Sequence, residues 1–93
     1  MTNVSETSVS PAVEAERRRR LGDFFRSHRV ASGMSVEQVA TDLELSSVDV
    51  LVDYETGQLS MPLEDVFALT NLLNIAPEAV MDLVHTLYML GAP

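Results

Sequence analysis

Residues 35–57 read SVEQVATDLELSSVDVLVDYETG, and this stretch decides the fold. It contains two short runs of helix-forming residues, which are interrupted by a tight turn at Glu44 and stopped by Gly57. Glycine commonly stands just beyond the last turn of a helix, because it adopts the left-handed backbone conformation without steric strain. The stretch therefore predicts two short helices in close succession, over about 36–43 and 47–56.

Two serines mark where these helices begin. Ser35 is followed by Gln38 three positions later, and Ser46 is followed by Asp49 at the same spacing. In such a capping box the serine oxygen accepts a hydrogen bond from the backbone N–H three residues on, and the later side chain bonds back. The spacing predicts Ser35 and Ser46 as the two N-caps.

Proline and serine signals place three further helices around this pair. Ser10-Pro11 begins a long first helix, Ser60 with Pro62 begins the fourth, and Pro77 begins the fifth. Their predicted ranges are about 12–31, 62–73 and 77–90. No strand pattern and no internal repeat is found. The sequence predicts an all-α fold of five helices, with a disordered tail over 1–11 and a single domain over 12–93.

Apolar spacing predicts which faces turn inward. In the first helix Leu21, Phe24, Phe25 and His28 follow the spacing of one helix face, so we expect His28 to be a hydrogen-bonded core histidine. In the fourth helix the apolar residues are Leu63, Val66, Phe67, Leu69, Leu72 and Leu73. In the fifth, Val80, Leu83, Val84 and Leu87 form one stripe that is predicted to face the core.

Composition argues against catalysis and against a bound cofactor. The 93 residues contain no cysteine, which excludes disulfides, thiolate metal sites and cysteine nucleophiles. His28 and His85 lie far apart, neither has a second ligand at helical spacing, and the acidic residues are dispersed. We expect no enzyme activity, no metal and no cofactor. The N-terminus lacks the pattern of a signal peptide and no uncharged stretch approaches the ~20 residues of a membrane span, so we expect a cytoplasmic protein without membrane contact.

Charge is distributed very unevenly along the chain. The formal net charge is −8, with six arginines against fourteen acidic residues. All six arginines lie between Arg17 and Arg29, whereas 30–93 contains no Lys or Arg and ten Asp or Glu. Such asymmetry must be explained by any hypothesis about binding partners.

The helix pair and its surroundings resemble the Cro/C1-repressor (XRE) family of helix-turn-helix domains. The resemblance covers about 21–84, and it rests on anchor residues that fall in the same order across four helices: Leu21, Gly22, Phe25, Arg29, Ser35, Val39, Ala40, Leu43, Leu45, Leu51, Tyr54, Glu55, Gly57, Pro62, Leu72, Leu73, Asn74 and Ile75. It implies a Cro/C1-repressor-like fold in which Arg29 pairs with Glu55, a structural ion pair that ties the first helix to the end of the third.

The chain departs from that family where its members contact DNA. The family places the third helix in the major groove and reads bases with basic or amide side chains. Here this helix offers no Arg, Lys, Gln or Asn, and it carries Asp49 and Asp53 one turn apart. The family's usual glycine in the turn is replaced by Glu44, and one extra residue lies between Ala40 and Glu55. We therefore expect the fold to be kept while its usual use in DNA binding is lost.

An acidic and apolar surface instead predicts a protein-binding face. Val48, Val50 and Val52 cannot all turn inward together with Leu51 and Tyr54, so apolar surface remains between the two aspartates. The alternative is a merely solvated acidic helix. On the fifth helix several apolar residues lie outside the core stripe. Two interpretations are open: these residues form a surface for a self-dimer or a partner, or they fold back on the first helix. The predicted protein-binding residues are Glu44, Val48, Asp49, Val52, Asp53, Met81, Tyr88, Met89 and Leu90.

The run Arg17, Arg18, Arg19 and Arg20 allows two interpretations. It is an arm for nucleic acid or for an acidic partner, or it is a solvated helix start that is partly paired with Glu14 and Glu16. Four arginines alone supply too few phosphate contacts for a specific DNA site.

Two hypotheses about function follow. The first is a transcription regulator that binds a protein, namely a basic activator whose DNA contacts it occludes. In size, fold and charge this resembles the small acidic antiactivators of rhizobial conjugative elements, whose partners are quorum-sensing or transfer activators. The second is a sequence-specific DNA-binding repressor that works as a dimer through its fifth helix and the arginine run.

Overall fold

The structure is a computed structural model, which describes residues 10–90. It contains five helices: α1 (Pro11–Ala31), α2 (Val36–Asp42), α3 (Val48–Thr56), α4 (Leu63–Leu72) and α5 (Pro77–Met89). No strand occurs within this range, so the predicted all-α class and helix order are confirmed. None of the five helices is both long and apolar enough to cross a membrane.

The first helix begins where serine and proline predict it. The hydroxyl of Ser10 accepts a hydrogen bond from the N–H of Val13 at 3.2 Å, and Pro11 takes the first helical position. Pro11 is therefore helical, and the prediction that it belongs to a disordered tail is wrong. Ser10, also in that predicted tail, is the extended N-cap, while 1–9 lie outside the described residues, as do 91–93 at the other end.

The two central helices differ in how they are capped. Ser35 accepts a hydrogen bond from the N–H of Gln38 at 3.0 Å, so the predicted N-cap of α2 is confirmed. The prediction for α3 is wrong, because Ser47 rather than Ser46 occupies its N-cap and makes no side-chain capping bond. With Ser47 as N-cap the third helical position is Val50, so Asp49 is out of register for a capping box.

The fourth helix also starts later than its serine suggests. Pro62 is the N-cap and Leu63 the first helical residue, so Ser60 lies in the preceding loop. Proline has no backbone N–H, and it favours an extended conformation for the residue before it, which keeps Met61 out of the helix. The left-handed exit predicted at Gly57 is confirmed by its φ of 79°, and Asn74 follows α4 in the same conformation, with φ 55°.

The core is built around the contact of α1 with α3. Phe25, Val39, Leu51 and Leu69 are the largest fully buried side chains. From α5, Val80 and Leu87 are buried, while Leu83 and Val84 are half-buried. His28 is not a core residue: it is half-buried and its ring lies 4.7 Å from that of Phe24.

Candidate functional site: the helix-turn-helix and its flanking surfaces

The turn between α2 and α3 is held by backbone hydrogen bonds. The N–H of Glu44 donates to the carbonyl of Thr41 and that of Leu45 to the carbonyl of Ala40, both at 3.0 Å. Glu44 has φ 57°, a left-handed backbone conformation that glycine adopts without steric strain and that other residues adopt only with strain. Glu44 adopts this conformation without being a glycine, and it places an exposed carboxylate just before the start of α3.

The register of α3 follows from which of its side chains are buried. Leu51, Tyr54 and Glu55 face inward at the spacing i, i+3, i+4. This confirms the inward positions expected for Leu51 and Tyr54. The inward positions of α3 are thus set by Leu51, Tyr54 and Glu55, irrespective of the expected extra residue between Ala40 and Glu55.

The outward face of α3 is acidic with an apolar centre. Asp49 and Val52 are exposed and Asp53 is half-exposed. Val48, which is also predicted for this surface, is only partly exposed, and it packs against the core together with Val50. We call Asp49, Val52, Asp53 and the neighbouring Glu44 the α3 face.

The elements that surround the α3 face add further negative charge. In α2, Glu37 and Asp42 are exposed, and 30–93 contains no Lys or Arg. The carboxylates of this surface would repel the phosphates of DNA. Because no cation is present here to neutralise a phosphate, binding would release no counterions and would gain no affinity from their release. A positively charged protein surface would meet complementary charge.

Arg29 and Glu55 form a bidentate ion pair between α1 and α3. The guanidinium donates to the two carboxylate oxygens at 2.6 and 3.1 Å, and it also donates to the carbonyl of Met34 at 2.9 Å. The side chains are only 12% and 6% exposed. Hydrogen bonding to Glu55 raises the pKa of Arg29. Removing either partner would strand a buried charge, at a cost of about 3–5 kcal/mol.

Tyr54 fastens α3 to α4. Its hydroxyl donates to a carboxylate oxygen of Asp65 at 2.7 Å. Burial, together with this hydrogen bond to a carboxylate, raises the pKa of Tyr54 to about 12. The phenol therefore remains a hydrogen-bond donor throughout the neutral range, and it fixes the orientation of α4 relative to the α3 face.

The first two arginines of the run hold helix ends. Arg17 donates to the carbonyls of Leu87 and Leu90, both at 2.9 Å, and its guanidinium lies 4.5 Å from the ring centre of Tyr88. Arg18 donates to the carbonyl of Gly57 at the end of α3, at 3.0 Å. A cation at a helix C-terminus satisfies orphan carbonyls and opposes the negative end of the helix dipole. These two arginines thus have structural contacts in the folded domain.

The second two arginines are exposed and share one carboxylate. Arg19 contacts Glu16 at 2.7 Å and Arg20 contacts it at 3.4 Å. The hydrogen bond from Arg19 lowers the pKa of Glu16. Together with the exposed Arg26 further along α1, they remain accessible to a polyanion or an acidic protein. Of the four arginines in the predicted arm, Arg19 and Arg20 are therefore exposed, while Arg17 and Arg18 are half-buried.

The apolar residues near the end of α5 divide between contact with α1 and exposure to solvent. Arg17 of α1 donates a hydrogen bond to the carbonyl of Leu90, and Leu90 is half-buried. Met81, Tyr88 and Met89 remain largely exposed. Met81, Tyr88 and Met89 thus stay predicted binding residues, on a different helix from the α3 face.

Sequence reasoning missed two exposed apolar residues on α4. Leu63 is 66% exposed and Phe67 is 56% exposed, although the sequence pattern places both among the apolar residues of that helix. A signal was available, because Phe67 follows the buried Val66 by one residue and is rotated about 100° around the helix from it. The buried stripe Val66, Leu69, Thr70 and Leu73 leaves no inward place for Phe67.

The arrangement of α2 and α3 against α1 defines the class: this is a helix-turn-helix domain. A family model described as a helix-turn-helix domain matches residues 20–83, which is more than half of the chain. The chain belongs to this helix-turn-helix family, which is regulatory rather than enzymatic and indicates a transcription regulator. No curated protein and no solved structure matches the chain.

Proposed function

We propose that this transcription regulator acts by binding another protein through its α3 face. The partner is a basic transcription factor, and the bound domain covers the surface with which that factor would contact DNA, which makes this chain an antiactivator. The observation that carries the proposal is the charge of the α3 face. Asp49, Asp53 and Glu44 lie in and beside the third helix, the element with which DNA-binding helix-turn-helix proteins contact DNA, and such contacts require positive charge.

The magnitudes support protein binding over DNA binding at this face. A protein that binds DNA tightly neutralises roughly 6–10 phosphates. The α3 face offers none of the necessary cations, since every arginine lies in α1 and two of them hold helix ends. The exposed Val52 gives the same face an apolar centre, and apolar centres with a charged rim are typical of protein interfaces.

The test begins with the partner itself. The tagged full chain is used to capture proteins from its native host, and the captured protein is identified by mass spectrometry, purified and titrated. The double variant Asp49→Lys with Asp53→Lys should weaken its binding at least tenfold, because two attractive contacts become repulsive. The control variant, Glu14→Lys with Asp23→Lys, makes the same charge change on exposed positions of α1 and should bind as the wild type does.

Both variants are first compared by circular dichroism, so that a loss of binding is not a loss of helix. If the Asp49→Lys, Asp53→Lys variant keeps its helical spectrum and still binds with wild-type affinity, the α3 face is not the interface. If the identified partner has no DNA-binding activity that the chain suppresses, antiactivation is wrong.

A DNA-binding repressor is the second candidate, and two observations favour it. The matched family is a helix-turn-helix family, and Arg19, Arg20 and Arg26 are exposed on α1. Fluorescence polarisation with DNA over a range of salt concentrations separates the two. Nanomolar binding to one sequence, with the logarithm of affinity falling steeply as salt rises, would support the repressor and sink the proposed antiactivator. Three arginines per chain limit that slope to about −3 for a monomer.

A further inference from the structure

The exposed side of α4 carries two large apolar residues, where a surface helix of a small domain is normally polar. Leu63 and Phe67 lie four residues apart and therefore on the same side of the helix, followed by Asn71 one turn later. The buried side of α4 is occupied by Val66, Leu69 and Thr70, so the two exposed residues have no place in the core. We call Leu63 and Phe67 the α4 row.

The α4 row is held on a fixed support. The hydroxyl of Tyr54 binds Asp65 on the neighbouring side of α4, and the fully buried Leu69 anchors the middle of the helix. An exposed leucine and phenylalanine on a helix fastened in this way present a preformed apolar ridge. Scattered single apolar residues are common on protein surfaces, but two large ones on the same helix face form a patch.

The charge around the row specifies what can cover it. Glu64 is exposed directly beside Leu63, and it is one of ten acidic residues in 30–93, a range that contains no Lys or Arg. An acidic or neutral partner would gain no electrostatic attraction at this surface, and a second copy of the chain would bring its own negative charge. A partner with apolar residues along one side and cations along its flanks matches both features.

We propose that the α4 row is a docking surface for a cationic amphipathic helix of a protein partner. Such a helix would lay leucine-sized side chains, spaced at i and i+3 or i+4, against Leu63 and Phe67 and would place Lys or Arg beside Glu64. The inference rests on the proposed function for the class of partner, a basic protein, and assigns a second contact surface that the α3 face does not include.

The direct test uses a synthetic helix as the probe. A labelled peptide of about 18 residues, built from Leu and Lys with leucines along one side, is long enough to be helical when bound. A peptide of the same composition in scrambled order carries equal charge without the apolar side. Fluorescence anisotropy with the full chain should show the amphipathic peptide binding at least about tenfold tighter than the scrambled one.

Two matched variants locate the binding. Phe67→Gln should weaken the amphipathic peptide roughly tenfold or more, because a large apolar contact is lost while a good helix former is kept. Val30→Gln is the control, because Val30 is 55% exposed on α1, almost the same fraction as Phe67. It should leave the affinity unchanged. Equal binding of both peptides, or wild-type affinity of Phe67→Gln, would overturn the inference.

The failure of this inference can be told apart from failure of the proposed function. The same Phe67→Gln variant is titrated against the partner captured from the host, beside the Asp49→Lys, Asp53→Lys variant. If only the α3 variant loses binding, the α4 row is not a docking surface and the proposed function stands. If Phe67→Gln also loses at least about tenfold, the α4 row is part of the interface.

Discussion

The backbone carbonyl of Tyr54 in α3 lies directly against Gly22 of α1, so closely that no side chain fits between them. A Cβ atom at position 22 would overlap that carbonyl oxygen and would stand 2.8 Å from the carbonyl carbon of Glu55. The atoms in the way belong to the backbone of a helix and cannot rotate aside. The close approach of α1 and α3, which places Arg29 beside Glu55, therefore depends on the absence of a side chain at position 22.

We expect Gly22→Ala to destabilise the domain by about 3 kcal/mol or more, because α1 and α3 must separate along a packed interface. The control is Gly33→Ala, where a Cβ would meet nothing within 4 Å and only the positive φ of 75° is unfavourable. That substitution should cost about 1 kcal/mol. Urea denaturation monitored by circular dichroism gives both free energies of unfolding. Equal losses for the two variants would contradict the steric argument.

The fold was predictable because its signals are local. All five helices could be predicted in order from serine, proline and glycine at the helix ends and from the spacing of apolar residues within each helix. The errors at Ser46 and Ser60 were choices between nearby residues, each of which can cap a helix. Such a choice is decided by the tertiary position of the helix start, which the local sequence does not contain.

The surfaces were less predictable, because exposure depends on how helices pack. The acidic character of α3 can be read from the sequence, since Asp49 and Asp53 cannot be buried without partners. The exposure of Phe67 and the capping role of Arg17 depend on contacts between residues far apart in the chain. Arg17 donates to the carbonyl of Leu90, which lies 73 positions away in the chain, and no local sequence pattern predicts such a contact.

The raised pKa of Tyr54 predicts a specific weakness in alkaline solution. Its value in the folded chain is about 12, against an ordinary value of 10.0, so folding favours the protonated phenol. The stabilisation is therefore fully present below about pH 10 and is lost as the pH rises towards 12. A difference of about two units corresponds to roughly 2–3 kcal/mol.

Urea denaturation at intervals from pH 8 to about pH 12 measures this loss. In Tyr54→Phe the loss between pH 10 and pH 12 should shrink by that amount, while stability at pH 7 falls by about 1 kcal/mol because the hydrogen bond to Asp65 is missing. If the variant loses stability over this interval as steeply as the wild type does, deprotonation of Tyr54 is not the cause.

The strained turn residue predicts a stabilising substitution. Glu44 has φ 57°, and holding a non-glycine residue in this region costs about 1–2 kcal/mol. Glycine removes that strain but loses about 0.5–1 kcal/mol more conformational entropy on folding. We expect Glu44→Gly to raise the free energy of unfolding by about 0.5–1 kcal/mol. Glu44→Ala, which removes the carboxylate but keeps the Cβ, should give no such gain, and a comparable gain would point to charge repulsion instead.

The attachment of α5 to α1 predicts that two neighbouring arginines differ sharply in their effect on stability. Arg17 makes hydrogen bonds of 2.9 Å to the carbonyls of Leu87 and Leu90 and lies over Tyr88. The exposed Arg20, by contrast, makes a single ion pair among the described residues, of 3.4 Å to Glu16. Hydrogen bonds from a charged donor contribute about 1.5–3 kcal/mol, while an exposed ion pair contributes about 0–1 kcal/mol.

We therefore expect Arg17→Gln to lower the free energy of unfolding by about 2 kcal/mol and Arg20→Gln to change it by less than about 0.5 kcal/mol. Hydrogen exchange locates the effect, because the amide protons of α5 should exchange faster in Arg17→Gln while those of α2 and α3 respond only through global unfolding. Unchanged exchange in α5 would mean that apolar packing of Val80 and Leu87 alone keeps this helix in place, and that the hydrogen bonds of Arg17 do not stabilise it.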